Sequence, residues 1–364
     1  MTPSVGSFDR AVEIIERARA PFVYGLAASP VGTARLAARL AARIDAAIDI
    51  EGGDRLAAEI EAIATTGQVT ATFGEMRAAA DCVVLWRADP RREHPDLLAG
   101  DSRHGPRRFI FVPPAPGPGG DSVAAEPGDF VLPIPPGRDL ETLQRLRFLL
   151  NTGGPGADAG VDAAPDEIWE AAAIILASHR VVILWDTARV GSQAGPLAAG
   201  FALLTLDPRR LPRIAAKAIG VPGHVAGAMA GLLAATGFPR AVAFRGGEPR
   251  CDPLRFGADR MFSGAADLIV AIEPCAGPPG PLSVPLVLIG SRLPPGWPEP
   301  EVFLPIAASA PGGEGVWLGA DGVPVPRSAQ EQPAPAASTA PVTATEVLTS
   351  LLQRLPTGRR RPSP

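Results

Sequence analysis

Apolar residues follow two rhythms along the chain. Spacings of three and four predict helices over 7–20, 31–47, 54–64, 75–80, 139–150, 166–178, 193–205, 224–236 and 345–355. The clearest, 139–150, places Leu140, Leu143, Leu146 and Leu150 on one face. Short unbroken apolar runs predict strands at 22–25, 82–86, 108–112, 181–185, 241–244, 268–272 and 286–289, and 70–73 is a further β-prone run. Turn residues follow two of them, Asp89-Pro90 and Pro113-Pro114, as expected of parallel strands buried on both faces. Strands alternating with helices define an α/β chain.

Between these elements, 113–128 is a Pro/Gly loop and 151–164 reads as a linker. Residues 326–342 are Pro/Ala/Ser-rich and read as extended. Thr343 or Thr345 suits the N-cap of the last helix. Arg359-Arg360-Arg361 ends the chain in a segment expected to be disordered. There is also an internal echo. Ala80-Asp81 leads into 82–86 and closes on Asp89-Pro90, while Ala266-Asp267 leads into 268–272 and closes on Glu273-Pro274. Chance and duplication both account for so short a match.

The 364 residues suffice for two domains, and a net charge of −4 gives no general drive toward nucleic acid. Lys217 is the only lysine, so Schiff-base chemistry has one candidate. Cys82, Cys251 and Cys275 form no C-x-x-C pair and suit neither a zinc site nor an iron–sulfur cluster. A sparse, odd cysteine set, no signal-peptide pattern and no run of membrane-spanning length lead us to expect a cytoplasmic protein.

Motifs for chemistry are few. No P-loop and no nucleophile elbow occur. Gly25 and Gly32 after the first strand lack the spacing of a dinucleotide fingerprint. His94, His104, His179 and His224 are isolated and read as surface or capping residues. Asp49, Glu51 and Asp54 around Gly52-Gly53 read as a solvated loop before a helix rather than a cation site. The most distinctive charged feature is Arg87, Arg91, Arg92, Arg103, Arg107 and Arg108, with His94 and His104. It is either a solvated loop or a site for an anionic partner, since guanidinium forks pair with carboxylates and phosphates.

Three blocks carry a family resemblance. The first is Gly67 to Glu75, then Ala80 to Trp86, Asp89-Pro90 and His94-Pro95. The second is Gly237-Phe238-Pro239, Val242, Phe244 and Gly247 to Pro253, and the third is Asp321-Gly322-Val323-Pro324. In order and separation they resemble the molybdopterin-binding B subunit of formylmethanofuran dehydrogenase, of the molybdopterin oxidoreductase superfamily. The resemblance implies two Rossmann-like domains of that type, without the iron–sulfur domain. We expect a discontinuous first domain, 1–150 plus 296–364, and a second over 151–295.

Departures from the family pattern narrow the reading. The cysteines for a cluster and for the redox metal are missing. The family's Gly after the Trp is Arg87 here, and its Asn is Asp89. Two later turns differ as well, at Val112-Pro113-Pro114-Ala115 and Ile289-Gly290-Ser291-Arg292. An arginine in place of that glycine would fill the space of a phosphate, and Asp89 would repel one. The pattern is similar to the B subunits of the bacterial formyltransferase/hydrolase complex of methylotrophs, which serves one-carbon (formaldehyde) oxidation. That resemblance implies a non-catalytic structural subunit that has lost molybdopterin and the iron–sulfur cluster. It implies an amidohydrolase-like A subunit, a C subunit and a formyltransferase D subunit as partners. The complex would move a formyl group from tetrahydromethanopterin to a methanofuran-like carrier and release formate. Arg87, Arg91, Arg92 and Arg250 would line the former pterin cleft and meet the carrier's anionic tail or a neighbouring subunit. The alternatives are an active molybdenum or tungsten formylmethanofuran dehydrogenase subunit, and an unrelated α/β ligand-binding protein.

Overall fold

The computed structural model describes residues 3–91, 98–114, 124–152, 166–206, 213–219, 225–308, 315–319, 321–327 and 342–356. In chain order the strands are β1 (Pro21–Gly25), β2 (Ala47–Ile50), β3 (Cys82–Trp86), β4 (Arg108–Val112), β5 (Phe130–Val131), β6 (Arg180–Asp186) and β7 (Arg213–Ile219). There follow β8 (Val242–Arg245), β9 (Glu248–Cys251), β10 (Leu268–Ile272), β11 (Leu286–Gly290), β12 (Val302–Pro305), β13 (Gly315–Leu318) and β14 (Pro324–Arg327). The helices are α1 (Val5–Arg17), α2 (Val31–Arg43), α3 (Ala57–Thr65), α4 (Phe73–Ala79), α5 (Asp139–Thr152) and α6 (Asp166–Leu176). The remainder are α7 (Thr187–Val190), α8 (Ala194–Thr205), α9 (Val225–Thr236), α10 (Pro253–Phe256), α11 (Ala258–Arg260) and α12 (Ala344–Arg354).

The chain divides into two compact units, Met1–Gly53 with Pro222–Pro364, and Asp54–Val221. The first holds a sheet of order β12-β11-β10-β1-β2-β8-β9, parallel from β12 to β2 and antiparallel beyond. The second holds the all-parallel sheet β5-β4-β3-β6-β7. Boundaries expected near 150 and 295 therefore move to Gly53 and Val221. The linker expected over 151–164 lies, after Thr152, outside the described residues; the strands before and after it, β3 and β6, pair in the register Cys82↔Val181 within the second unit.

The two sheets share one plan. The order β12-β11-β10-β1-β2 matches β5-β4-β3-β6-β7 strand for strand, with the chain order permuted. The echoed residues occupy matching places. Asp81 accepts from the backbone N–H groups of His179 and Arg180, both at 2.8 Å, at the entrance of β6. Asp267 accepts from those of Arg19 and Ala20, at 2.6 and 2.8 Å, at the entrance of β1. At the other end, Arg87 and Glu273 each follow their strand in left-handed backbone, φ 56° and 45°. Their N–H groups donate to Val112 and Ile289 at the end of the adjacent strand, at 3.0 and 2.8 Å. Sequence and hydrogen bonding together favour duplication over chance.

Period-two alternation explains the layering of the second unit. Cys82, Val84 and Trp86 of β3 pack into a core with Leu143, Leu146, Ile175 and Phe201 from α5, α6 and α8. Val83 and Leu85 enter the opposite core with Met76 of α4, Leu98 and Phe111. In the first unit Phe22 and Tyr24 pack edge-on to Phe262, at centroid distances of 5.9 and 5.1 Å.

Several elements differ from expectation. The helix expected over 31–47 ends at Arg43; Asp45 takes φ 51°, and Ala47–Ile50 forms β2. The β-prone run 70–73 forms no strand. Thr72 instead caps α4 in a capping box with Glu75, although the Val69 carbonyl accepts from Ala216 of β7 at 3.0 Å. Strand β7, Arg-Ile-Ala-Ala-Lys-Ala-Ile, carries too little β-branched side chain to be read from sequence, and its pairing with β6 makes it a strand. Thr343 is the N-cap of α12, again with a capping box, through Glu346. Residues 328–341 and the terminal arginines lie outside the described residues. No described helix is long and apolar enough to cross a membrane.

Candidate functional site

Ligands of open α/β sheets bind beyond the carboxyl ends of the strands, where connections leave in opposite directions. In the second unit that point lies between β3 and β6: β4 and β5 follow on one side, β7 on the other. In the first it lies between β10 and β1.

At the β3 end, Arg87 is 4% exposed and turned inward. Its Nε and Nη2 donate to the two carboxylate oxygens of Asp139, at 2.9 and 3.1 Å. Its other acceptors are the carbonyls of Pro113 (2.5 Å), Ile134 (2.8 Å) and Pro135 (3.4 Å), after β4 and β5. Trp86 Nε1 donates to the same Asp139 oxygen at 2.9 Å. This buried carboxylate and guanidinium tie three strand-end loops to the start of α5. A glycine would suit the positive φ better; the arginine tolerates it, and its fork is used internally.

Arg91 is likewise committed. It forms a two-pronged pair with Asp89 (2.9 Å each) and bonds Asp129 at 2.9 Å, over the rings of Phe109 and Phe111. Burial alone would lower its pKa, but the bonds to Asp89 and Asp129 outweigh that and raise it. Asp89 therefore faces its own arginine. Neither Arg87 nor Arg91 presents its guanidinium to an anionic tail, because both forks are filled by internal acceptors. Arg92 and His94 lie outside the described residues. Arg250 is exposed on β9, in the other unit.

The remainder of the basic run sits at the opposite end of the sheet. Arg107 bonds the carbonyls of Ala80, Leu98 and Arg77, and Arg108 bonds Ser178. His104 stacks on His179 at 4.8 Å, and His179 Nδ1 lies 3.1 Å from Asp81. Among the described residues the expected single patch is thus split between opposite ends of the strands, with Arg87 and Arg91 tied inward at one end and Arg103 and Arg108 exposed at the other. His224 lies outside the described residues.

At the β10–β1 point the groups are acidic. Ser29, fully buried, donates its hydroxyl to Glu273 at 2.5 Å. Glu51 accepts from the backbone N–H of Cys275 and Ala276, at 2.8 and 2.6 Å, yet burial still pushes its carboxyl upward. Gly25 has φ 112°, and a Cβ there would stand 2.3 Å from the Ile272 carbonyl. Its smallness serves the approach of β1 to β10. Asp49 is no loop carboxylate in solvent: it is 1% exposed and accepts from the N–H of Ala241 and Ala258, both at 3.0 Å, and from Arg240. Only Asp54 is solvated as expected, and it stands on a 3-10 turn, Gly53–Leu56, rather than in a loop. Asp49 and Glu51 follow the alternation of a strand, a signal obscured by reading the helix through to 47.

Thiol chemistry is disfavoured throughout. Burial pushes Cys82 up to about 12, and burial with Glu51 and Glu273 pushes Cys275 up to about 11. Burial raises Cys251 too. Thiolate, the nucleophilic and metal-ligating form, is scarce at neutral pH for all three. Among the described residues no group of three or more His, Cys, Asp or Glu is placed to hold a metal ion. Sequence reasoning missed Asp186 at the end of β6. It caps α7 through the Ala188 N–H at 2.9 Å, and burial raises its pKa. Beside it, Trp185 Nε1 and the Thr187 hydroxyl are buried without hydrogen-bond partners among the described residues. Its position after a buried strand was the available signal.

These features define an α/β protein of two related parallel-sheet units whose strand-end crevices are occupied by the chain's own charged groups. The fold is shared with a chain in the X-ray crystal structure of the formyltransferase/hydrolase complex (FhcABCD) from Methylorubrum extorquens in complex with methylofuran. The match covers 96% of this chain and 95% of that chain, with a TM-score of 0.74 and 22% identity. No protein-family model matches the chain. No curated protein matches it by sequence.

Proposed function

We propose that the chain is a non-catalytic subunit of a formyltransferase/hydrolase complex of the kind that passes a formyl group to a methanofuran-like carrier and releases it as formate. The observation that carries this reading is the shared fold over nearly the full length of both chains. The strand-end chemistry supports the non-catalytic part. Arg87 and Asp139 fill one crevice, and Glu51 and Glu273 place carboxylates at the other. A pterin diphosphate needs open backbone N–H groups and positive potential at such ends; these residues do not fit it. The three thiols, all shifted upward, are unsuited to holding its metal.

The proposed partners are an amidohydrolase-like A subunit, a C subunit and a formyltransferase-like D subunit. Native mass spectrometry of the full chain, tagged and purified from its own cells, tests this. Recovery with formyltransferase-like and amidohydrolase-like chains is expected, with no stoichiometric molybdenum or tungsten by elemental analysis. A chain recovered alone overturns the subunit reading, and one metal per chain overturns the non-catalytic one.

A further inference from the structure

The first unit carries a cleft of 1270 Å³ at the amino-terminal edge of β1 and β2, the opposite edge from Gly25 and Glu273. Among the described residues six arginines line it, Arg19, Arg39, Arg43, Arg245, Arg255 and Arg260, against the single carboxylate of Asp45. The whole chain has a net charge of −4, so this concentration is local. Arg43 is held by the Leu352 and Leu355 carbonyls at 3.3 and 3.1 Å, and Arg255 lies 3.4 Å from Asp252. Arg39, Arg245 and Arg260 are exposed and have no ion-pair or hydrogen-bond partner for their side chains among the described residues. The floor is apolar, formed by Pro21, Ala47, Phe244, Phe256, Met261 and Leu352.

We infer that this cleft docks an acidic segment of a partner chain, with carboxylates meeting Arg39, Arg245 and Arg260 and an apolar side chain meeting the floor. The inference rests on the subunit reading above. An apolar floor within a charged rim is the anatomy of a protein interface. The volume exceeds the ~300–1,000 Å³ of small-ligand pockets. The three guanidiniums stand on separate elements, α2, the end of β8 and α11, and a chain bearing carboxylates at intervals can meet each of them. Leu254 adds a second sign: at 87% exposed, it lies on α10 between Pro253 and Arg255, beside the cleft wall.

The test uses the tagged full chain in its own cells. Wild type is compared with R39E/R245E/R260E and with R39K/R245K/R260K, with a benzoylphenylalanine photocrosslinker at position 254. We expect the glutamate variant to recover at least tenfold less partner at unchanged Tm, and the lysine variant to retain at least half. The crosslink should map to a partner segment with an excess of Asp and Glu. Full recovery by the glutamate variant overturns the inference, as does a crosslink to a segment without that excess, or no crosslink. So does arginine-dependent binding of tripolyphosphate to the purified chain with partner recovery unchanged, which marks a small-anion site. If wild type recovers no partner, the subunit reading itself has failed.

Discussion

Replacing Asp139 with alanine should destabilise the second unit more than any surface change. Asp139 is 4% exposed and accepts three hydrogen bonds, two from Arg87 and one from Trp86. Without it a buried guanidinium keeps only its carbonyl partners, at Pro113, Ile134 and Pro135. Removing one member of a buried pair costs about 3–5 kcal/mol, chiefly because the other charge stays desolvated. With a urea slope of about 2 kcal/mol per M, the midpoint should fall by roughly 1.5–2.5 M. Equilibrium urea unfolding followed by tryptophan fluorescence reads it, since Trp86 bonds the deleted group. R87G/D139N should recover more than half of the loss, because glycine suits φ 56° and no unpaired charge remains. A midpoint within 0.5 M of wild type for Asp139→Ala, roughly 1 kcal/mol on the same slope, would show the pair to be solvated and would refute the reasoning.

Other predictions follow the same logic. Asp81→Ala should cost about 1–3 kcal/mol, since its two N–H donors end in a buried site, while exposed Asp267→Ala should cost less than ~1 kcal/mol despite matching bonds; urea midpoints give both. Gly25→Ala should prevent folding or cost several kcal/mol, its Cβ meeting backbone in left-handed φ, whereas Gly32→Ala meets nothing within 4 Å and should stabilise by up to about 1 kcal/mol; thermal melts separate them. Burial raises the Asp186 pKa in the folded chain, so its ionisation opposes folding as pH climbs above the unfolded carboxylate value. Asp186→Asn keeps a capping oxygen and removes that ionisation. The difference in Tm, variant minus wild type, should be more positive at pH 7 than at pH 4, and an equal difference at both counts against the assignment.

Legibility in the sequence followed how local each signal was. Buried parallel strands such as 82–86, 181–185 and 268–272 stand out because hydrocarbon on both faces leaves an unbroken apolar run. The capping boxes at Thr72 and Thr343 complete themselves within four residues, though only Thr343 stands before a helix clear enough to mark it as a cap. Strand β7 and the two-residue β5 had no such signal, since partners distant in the chain create them. The arginine run illustrates the same divide. Its charge was plain, but Arg87 and Arg91 face Asp139 and Asp129, supplied by segments that only folding brings near.

Read alone, the sequence established an α/β chain, half of its described strands and most of its described helices, the Asp81/Asp267 echo and cysteines too sparse for a cluster. Periodicity, caps and composition are properties of neighbours along the chain, so they need no fold to be read. Tertiary structure alone decided where the two units divide, that their sheets share one permuted plan, and that the conspicuous arginines at the β3 end are internal ties. It also set Arg39, Arg245 and Arg260 around one apolar cleft. Pairing and burial join residues hundreds of positions apart, and an arginine's role depends on whether a carboxylate or water stands at its fork.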